Sequence, residues 1–404
     1  MRKNRGMKGF AFGIFLLFLG TGFQSALAQK TEQPVLPSVK GNWWYVGGSG
    51  PRNYTTIQDA INASSDGDTV FVYDDSSPYR SVVVNKSIHL LGEHTNTTII
   101  DGENKGDAVW IQSERVVLSN FTITHGDGED LLRDFFRAGV RITASNVTIK
   151  HNSIRDNRKG ILGLRVTNLT ICDNCFFHDG VTLSPYENEG RPAISPEYFD
   201  HTIQNNVVNG KPLYYFKNQT QITVPADAGQ VIAVNCAQLF LRNASIHEVD
   251  DAGMILAFCS ACTIEHSSFF DHAMVWLFRS DHTLIQGNTL ENNLHGLCLD
   301  YGSTANVIQS NTFSQNQMAG VMMEYYSNEN RILQNNLMQN DYNSYTKQSF
   351  KNRWNENYWH DWLGLQSAIL RFFPKLIVGQ LFEGHRIPSV NFDWNPASEP
   401  YDIT

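Results

Sequence analysis

Pairs of apolar residues five positions apart recur along this chain, and most enclose an asparagine. Ile149 and Ile154 flank Asn152, Ile171 and Phe176 flank Asn174, and Ile203 and Val208 flank Asn206. The pattern continues with Ile264–Ser267–Phe269, Ile285–Asn288–Leu290, Ile308–Asn311–Phe313 and Leu333–Asn336–Met338. Successive asparagines lie 22 (152 to 174), 23 (288 to 311) and 25 (311 to 336) residues apart. A second pattern sits between them, a small residue followed by apolar alternation: Gly253-Met-Ile-Leu, Ala273-Met-Val-Trp, Gly296-Leu-Cys-Leu and Gly320-Val-Met-Met.

An apolar period of two belongs to pleated strands, and a fixed repeat of this length belongs to solenoids. The segments are too short and too rich in Asn, Thr and Gly for helices. The repeated Asn falls at a turn, where its amide bonds backbone groups and stacks on the next rung. The expected fold is therefore all-β, a single-stranded right-handed parallel β-helix. Residues 69–340 are expected to form the coil, preceded by a segment (29–68) with a short helical cap at Thr55–Ala63. An aromatic-rich cap is expected over 341–404, where Trp354, Tyr358, Trp359, Trp362, Phe372, Phe373 and Trp394 cover the last rung.

The start of the chain suggests export. Arg2, Lys3, Arg5 and Lys8 precede an apolar run from Phe10 to Leu19, and Ala26-Leu27-Ala28 has the form of a cleavage site. Residues 1–28 are thus expected to be a signal peptide, with an uncleaved anchor as the alternative, and the protein to be secreted, periplasmic or at the cell surface. No later segment reads as transmembrane, because Arg371, Pro374 and Lys375 interrupt the apolar stretch from Ile369 to Gln380. A net charge of -9 argues against nucleic-acid or anionic-membrane partners. The six cysteines include Cys172/Cys175 and Cys259/Cys262 as C-x-x-C pairs, for which packed thiols or local disulfides are expected rather than a metal. Nine N-x-[ST] acceptors reflect the Asn- and Thr-rich composition as much as glycosylation. The chain is expected to be a monomer.

Longer segments carry a family resemblance. YTTIQDAINASSDGDTVFV (54–72), VVVNKSIHLLGE (82–93) and TTIIDG (97–102) resemble the start of NosD-like parallel β-helix proteins. NGKPLYYF (209–216) and AGQVIAVNC (228–236) resemble a mid-coil signature of archaeal-type members, and NENYWHDW (355–362) and FDWNPASEPYDI (392–403) their C-terminal cap. Where relatives often carry a Gly-x-Tyr-x-Glu turn, this chain has Asp74–Arg80, so no role for that Glu carries over. The resemblance implies the fold, and a link to copper delivery through the factor that names the family. The wider fold group implies carbohydrate binding or polysaccharide lyase, hydrolase or epimerase activity. No lyase or hydrolase motif is present, and Asp250-Asp251 matches the paired Asp of polygalacturonases only superficially.

Stacking the repeats at Gly253, Ala273, Gly296 and Gly320 gathers one polar edge. It holds Asp250, Asp251, Asp271, His272 and His295, with His178, Asp179 and His247 nearby. Asp251 over Asp271, about 5 Å apart, would suit either a retaining carboxylate pair or Ca²⁺. His272 over His295 would suit a softer ion, so Asp251, Asp271, His272 and His295 are the metal candidates, Ca²⁺ first and copper second. Asp300 and Glu324 mark a second cleft beside Arg279, Asp281 and His282. The bland alternative is a solvated row of turn residues. Met254 and Met274 are expected to point inward with Leu256 and Trp276, as is the ladder Phe258, Phe278, Tyr301 and Tyr325. The function expected first is binding of polysaccharide or surface glycans. A polysaccharide-processing enzyme at the Asp251/Asp271 edge, a copper-handling factor and an envelope structural protein are the alternatives.

Overall fold

The computed structural model describes residues 41–128, 136–186, 194–367, 369–382 and 385–403. The expected signal peptide (1–28) lies outside them. Short parallel strands stack into a right-handed β-helix of about 13 turns. Apolar residues at the repeat positions pair in register, as in Ile149↔Ile171↔Ile203, and point into a continuous core.

The asparagines explain the stack. The Asn152 side chain donates to Asn174 Oδ1 (3.1 Å), and Asn174 donates in turn to Asn206 Oδ1 (3.0 Å). Each Oδ1 also accepts the backbone N–H of the preceding rung's Asn, as in Asn152 N to Asn174 Oδ1 at 3.0 Å. Turn N–H groups that no strand can satisfy are thereby paired inside the coil, each bond contributing about 1 kcal/mol net. A second run links Asn288, Asn311, Asn335 and Asn357 and ends on Asp393 Oδ2. The ladder thus uses Asn335 rather than Asn336, because Ile332 and Leu337 are the inward residues of that rung.

Parallel pairing also extends beyond 69–340. Trp43–Val46 pairs with Thr69–Val72, and Tyr342–Lys347, Arg353–Asn355 and Tyr358–Trp359 continue the rungs. Trp354 and Trp359 occupy the inward positions of Ile332 and Leu337, so aromatic substitution hides the repeat. The N-terminal cap is the helix Ile57–Ala63, whose Asp59 N–H donates to Thr56 Oγ1 and whose Ile57, Ala60 and Ile61 are buried. At the far end Trp354, Trp359 and Trp362 are buried, whereas Phe372, Phe373 and Trp394 are exposed, so only part of the expected aromatic cap covers the core. Lys375–Phe382 and His385–Asp393 form an antiparallel hairpin there. All six cysteines are free thiols. Among the described residues no helix is long and apolar enough to cross a membrane.

Candidate functional site

The coil has a seam. After Val208 the chain turns back through Asn209 and Gly210, both left-handed, and Lys211–Lys217 begins antiparallel to Val207–Val208. The strand Val181–Ser184 therefore ends one ladder, and Gln230–Val234 and Asp251–Ala257 belong to the next. Gln230 splices the two with its side chain. Its Oε1 accepts from Val181 N (3.0 Å), while its Nε2 donates to Val181 O (2.9 Å) and Ala252 O (2.8 Å). A primary amide here substitutes for the peptide group that a paired strand would supply. Gly180 makes room for it, since a Cβ there would fall 2.9 Å from Gln230 Oε1 and 2.4 Å from Val249 Cγ1.

Beside the seam, on the outer face of the sheet, lies a groove. Its strands send Leu183, Val275, Leu277, Leu297, Leu299, Val321 and Met323 to the core, and alternate residues outward. Two adjoining cavities of about 230 and 220 Å³ share Lys159 and Asp251. Thr182, Tyr186, Met274, Trp276, His295, Cys298, Asp300, Met322, Glu324 and Tyr325 line the first, with Phe136 and Leu162 at one end. Asp127, Arg158, Asp250, His272 and Gln317 line the second.

The charges in the groove are strongly shaped by burial. Lys159 Nζ lies 3.0 Å from Asp251 Oδ2, which also accepts from Thr182 Oγ1 at 2.8 Å. Burial raises Asp250 to about 7, opposed by Lys159 and His178. It raises Asp300 to about 6, although Tyr186 Oη donates to Asp300 Oδ2 at 2.5 Å and Tyr301 N donates to Oδ1. It lowers His295 to about 4, which leaves the imidazole neutral at pH 7, and the buried His295 Nδ1 has no hydrogen-bond partner. The groove thus holds a carboxyl that titrates near neutrality against a tyrosine hydroxyl, with indole and phenol rings alongside.

Asp300 gives a pH prediction. Its folded pKa exceeds the unfolded value, so the native state binds the extra proton and stability falls as pH rises from about 4 through 6. Asp300→Asn should flatten that part of the curve, read from urea unfolding at pH 4, 5, 6 and 7. An unchanged slope would show that burial does not perturb this carboxyl.

The structure brings some of the sequence candidates together and separates others. Asp251, His295, Asp300 and Glu324 line the first cavity, and Asp250, Asp251 and His272 the second. Asp251 and Asp271 do not stack. Asp251 pairs with Ala273, and an extra residue at Gly253 shifts the register between Ala252 and Met254. Asp271 instead joins the outer row of left-handed turn residues and accepts from Asn292 Nδ2 at 2.6 Å. His178 shares that row, bonded to Asp156, which raises its pKa. Asp179 is fully buried and caps Asn157 in the interior ladder, which removes it from any ligand surface. His247 stacks on Phe270 at 4.9 Å. His272 and His295 fall to different cavities, so the expected set Asp251, Asp271, His272 and His295 forms no metal cluster.

Some residues expected inside the coil face the groove instead. Met254 is in the core, but Met274 and Trp276 point outward, because the extra residue at Gly253 offsets the two strands. Of the aromatic ladder, Tyr325 lines the groove, whereas Phe278 is fully buried against Phe199, Phe258 and Tyr301. Tyr186 carried no sequence signal, whereas Lys159 had one in its place before Gly160.

Residues 197–364 match the family described as "Periplasmic copper-binding protein (NosD)", and residues 48–227 match "Right handed beta helix region". No curated protein sequence matches. Among solved structures, the chain is similar to the A-module of a mannuronan C-5 epimerase from Azotobacter vinelandii, at 14% identity over 74% of this chain and 87% of that one (TM-score 0.33). It is similar to a lacto-N-biosidase from Eubacterium ramulus at 10% identity, covering 78% and 68% of the two chains (TM-score 0.34). A surface adhesin of Streptococcus pneumoniae shares 11% identity over 85% and 95% (TM-score 0.33).

Proposed function

We propose that this chain, a NosD-like right-handed parallel β-helix protein, is an exported glycan-binding protein that takes one segment of a polysaccharide or surface glycan into the groove beside Lys159 and Asp251. The observation that carries this is the lining itself. The groove presents Trp276, Tyr186 and Tyr325 next to a buried Lys–Asp pair and two further carboxyl groups. Sugar rings stack their C–H faces on aromatic side chains and hydrogen-bond their hydroxyls to carboxylates, so the two kinds of group belong together in such a site. A cavity of about 230 Å³ accepts a sugar ring, and the adjoining one of about 220 Å³ accepts its neighbour.

A glycan array probed with the purified protein, with and without Ca²⁺, tests this. Trp276→Ala should weaken binding of any hit at least tenfold, and Asp271→Asn, on the turn row and outside the lining of both cavities, should leave it unchanged. A protein that binds nothing on the array at high concentration, or whose Trp276→Ala variant binds as well as wild type, would sink the proposal.

A second reading has its own support. Asp300 titrates near 6 against the Tyr186 hydroxyl, which is the property of a general acid or base. Polysaccharide processing would then centre on Asp300 rather than on an Asp251/Asp271 pair. Turnover of a bound glycan with a pH limb near 6, abolished in Asp300→Asn, is the result that favours it.

A further inference from the structure

We propose that the groove continues along the coil into a cavity beneath the C-terminal hairpin, and that the joined site holds several consecutive rings of a linear, uncharged polysaccharide. This rests on the glycan-binding reading of the groove and deepens it. Strand register carries the extension. Trp276, Cys298 and Met322 line the groove in one column, and the next residue of that column is Tyr345. Tyr345 lines a further cavity of about 490 Å³, which opens where the hairpin strand Lys375–Phe382 parts from the rung Tyr342–Lys347. The two strands pair at Thr346↔Gly379 and Lys347↔Gln380. From the rung of Asp251 to that of Tyr345 is four steps, roughly 19 Å at about 4.8 Å a step.

The cap cavity repeats the chemistry of the groove. Lys375 Nζ donates to Asp361 Oδ2 at 2.5 Å and lies 5.6 Å over the Trp359 ring, much as Lys159 meets Asp251 in the groove that Trp276 lines. Tyr342 lines the cavity and is 62% exposed, so its ring is open to a partner. Ser344 also lines it and is only 9% exposed, yet its Oγ has no hydrogen-bond partner. An unpaired buried hydroxyl is costly, and a sugar hydroxyl reaching it would relieve that cost. Leu376 and Val378 supply apolar wall for the C–H faces of a ring. The cavity has about twice the volume of the one beside Trp276, room for two rings where that one takes a single ring.

Charge selects the class of polymer. Among the described residues, the cations lining the three cavities are Arg158, Lys159 and Lys375. Each already faces a carboxylate, Asp127, Asp251 and Asp361, at 3.6, 3.0 and 2.5 Å. Asp300, Glu324 and Asp341 line the same track. A uronate polymer would bring a further negative charge with every ring, whereas the hydroxyls of a neutral chain donate to carboxylates without that repulsion. The joint beside Lys159 meets one end of the segment, and the number of rungs beyond it sets how many rings are held.

The test is calorimetric titration of the full chain with cello-, chito- and manno-oligosaccharides of three and six units, and with oligogalacturonates of the same lengths. In at least one uncharged series the hexamer should bind at least tenfold more tightly than its trimer, and hexagalacturonate should bind more weakly than that hexamer. Tyr345→Ala and Tyr342→Ala should each bring the hexamer down toward the affinity of the trimer, whereas Trp276→Ala should weaken both lengths alike. Circular dichroism checks that each variant is folded. If the half-buried Tyr345 cannot be replaced, the exposed Tyr342 decides. Equal affinity for trimer and hexamer, an unaltered hexamer-to-trimer ratio in Tyr342→Ala, or a preference for hexagalacturonate overturns the extension. Trimer binding that Trp276→Ala abolishes, with no gain from length, removes the extension and leaves the groove as a glycan site. A hit on the glycan array with none of these series bound does the same, and no binding in either experiment removes both proposals.

Discussion

Replacing Lys159 with methionine is expected to lower the unfolding free energy by about 3–5 kcal/mol at pH 7. Lys159 and Asp251 are 5% and 6% exposed in their side chains, and Nζ sits 3.0 Å from Oδ2. Removing the ammonium leaves a carboxylate in a cavity wall with Thr182 Oγ1 still donating to it. The double change Lys159→Met/Asp251→Leu should recover most of the loss, since taking both charges out of water offsets most of their attraction. Urea denaturation of the two variants at pH 7 checks this. A single variant as stable as wild type would mean that water, rather than Lys159, satisfies Asp251.

The second large effect is expected at Gln230. Leucine there leaves Val181 N–H, Val181 C=O and Ala252 C=O without the partner they now share, and should cost about 3 kcal/mol or more. Glutamate keeps the acceptor for Val181 N–H but sets a carboxylate against two carbonyl oxygens, so Gln230→Glu should be rescued only at acidic pH, where the carboxyl can donate. Thermal melts at pH 4 and pH 7 distinguish the two variants. Equal stability of Gln230→Leu and wild type would show that the seam is held by the flanking strands alone.

Much of this architecture was legible in the sequence, and the reason is local. Apolar residues five positions apart with an asparagine between them specify a rung without reference to anything distant, so Ile149, Asn152 and Ile154 suffice to read one. The mid-coil signature even contains Gln230, although its role depends on Val181, 49 residues away. The site was harder to read for the same reason. Stacking residues by their small anchors assumes that every rung has the same length, and a single extra residue at Gly253 breaks that assumption. It moves Asp251 off the turn row and into the groove, separates it from Asp271, and turns Met274 and Trp276 outward. A one-residue slip reverses every side chain in a strand, so an error of one position exchanges core for surface. Asp179 failed differently. Beside His178 it looks like a ligand, but in the coil it stands where its neighbours place asparagine. The contact of Tyr186 with Asp300 spans 114 residues and leaves no local trace.

The amide splice at Gln230 also bears on how such a molecule changes over time. A solenoid grows or shrinks by whole rungs, and a site assembled from consecutive rungs would be carried along or cut through by each such event. Here the groove straddles a joint between two ladders, with Lys159 and Thr182 on one bank and Asp251, His295 and Asp300 on the other. Rungs added toward either cap would leave that joint intact. The length of the protein and the identity of its ligand are then free to vary separately.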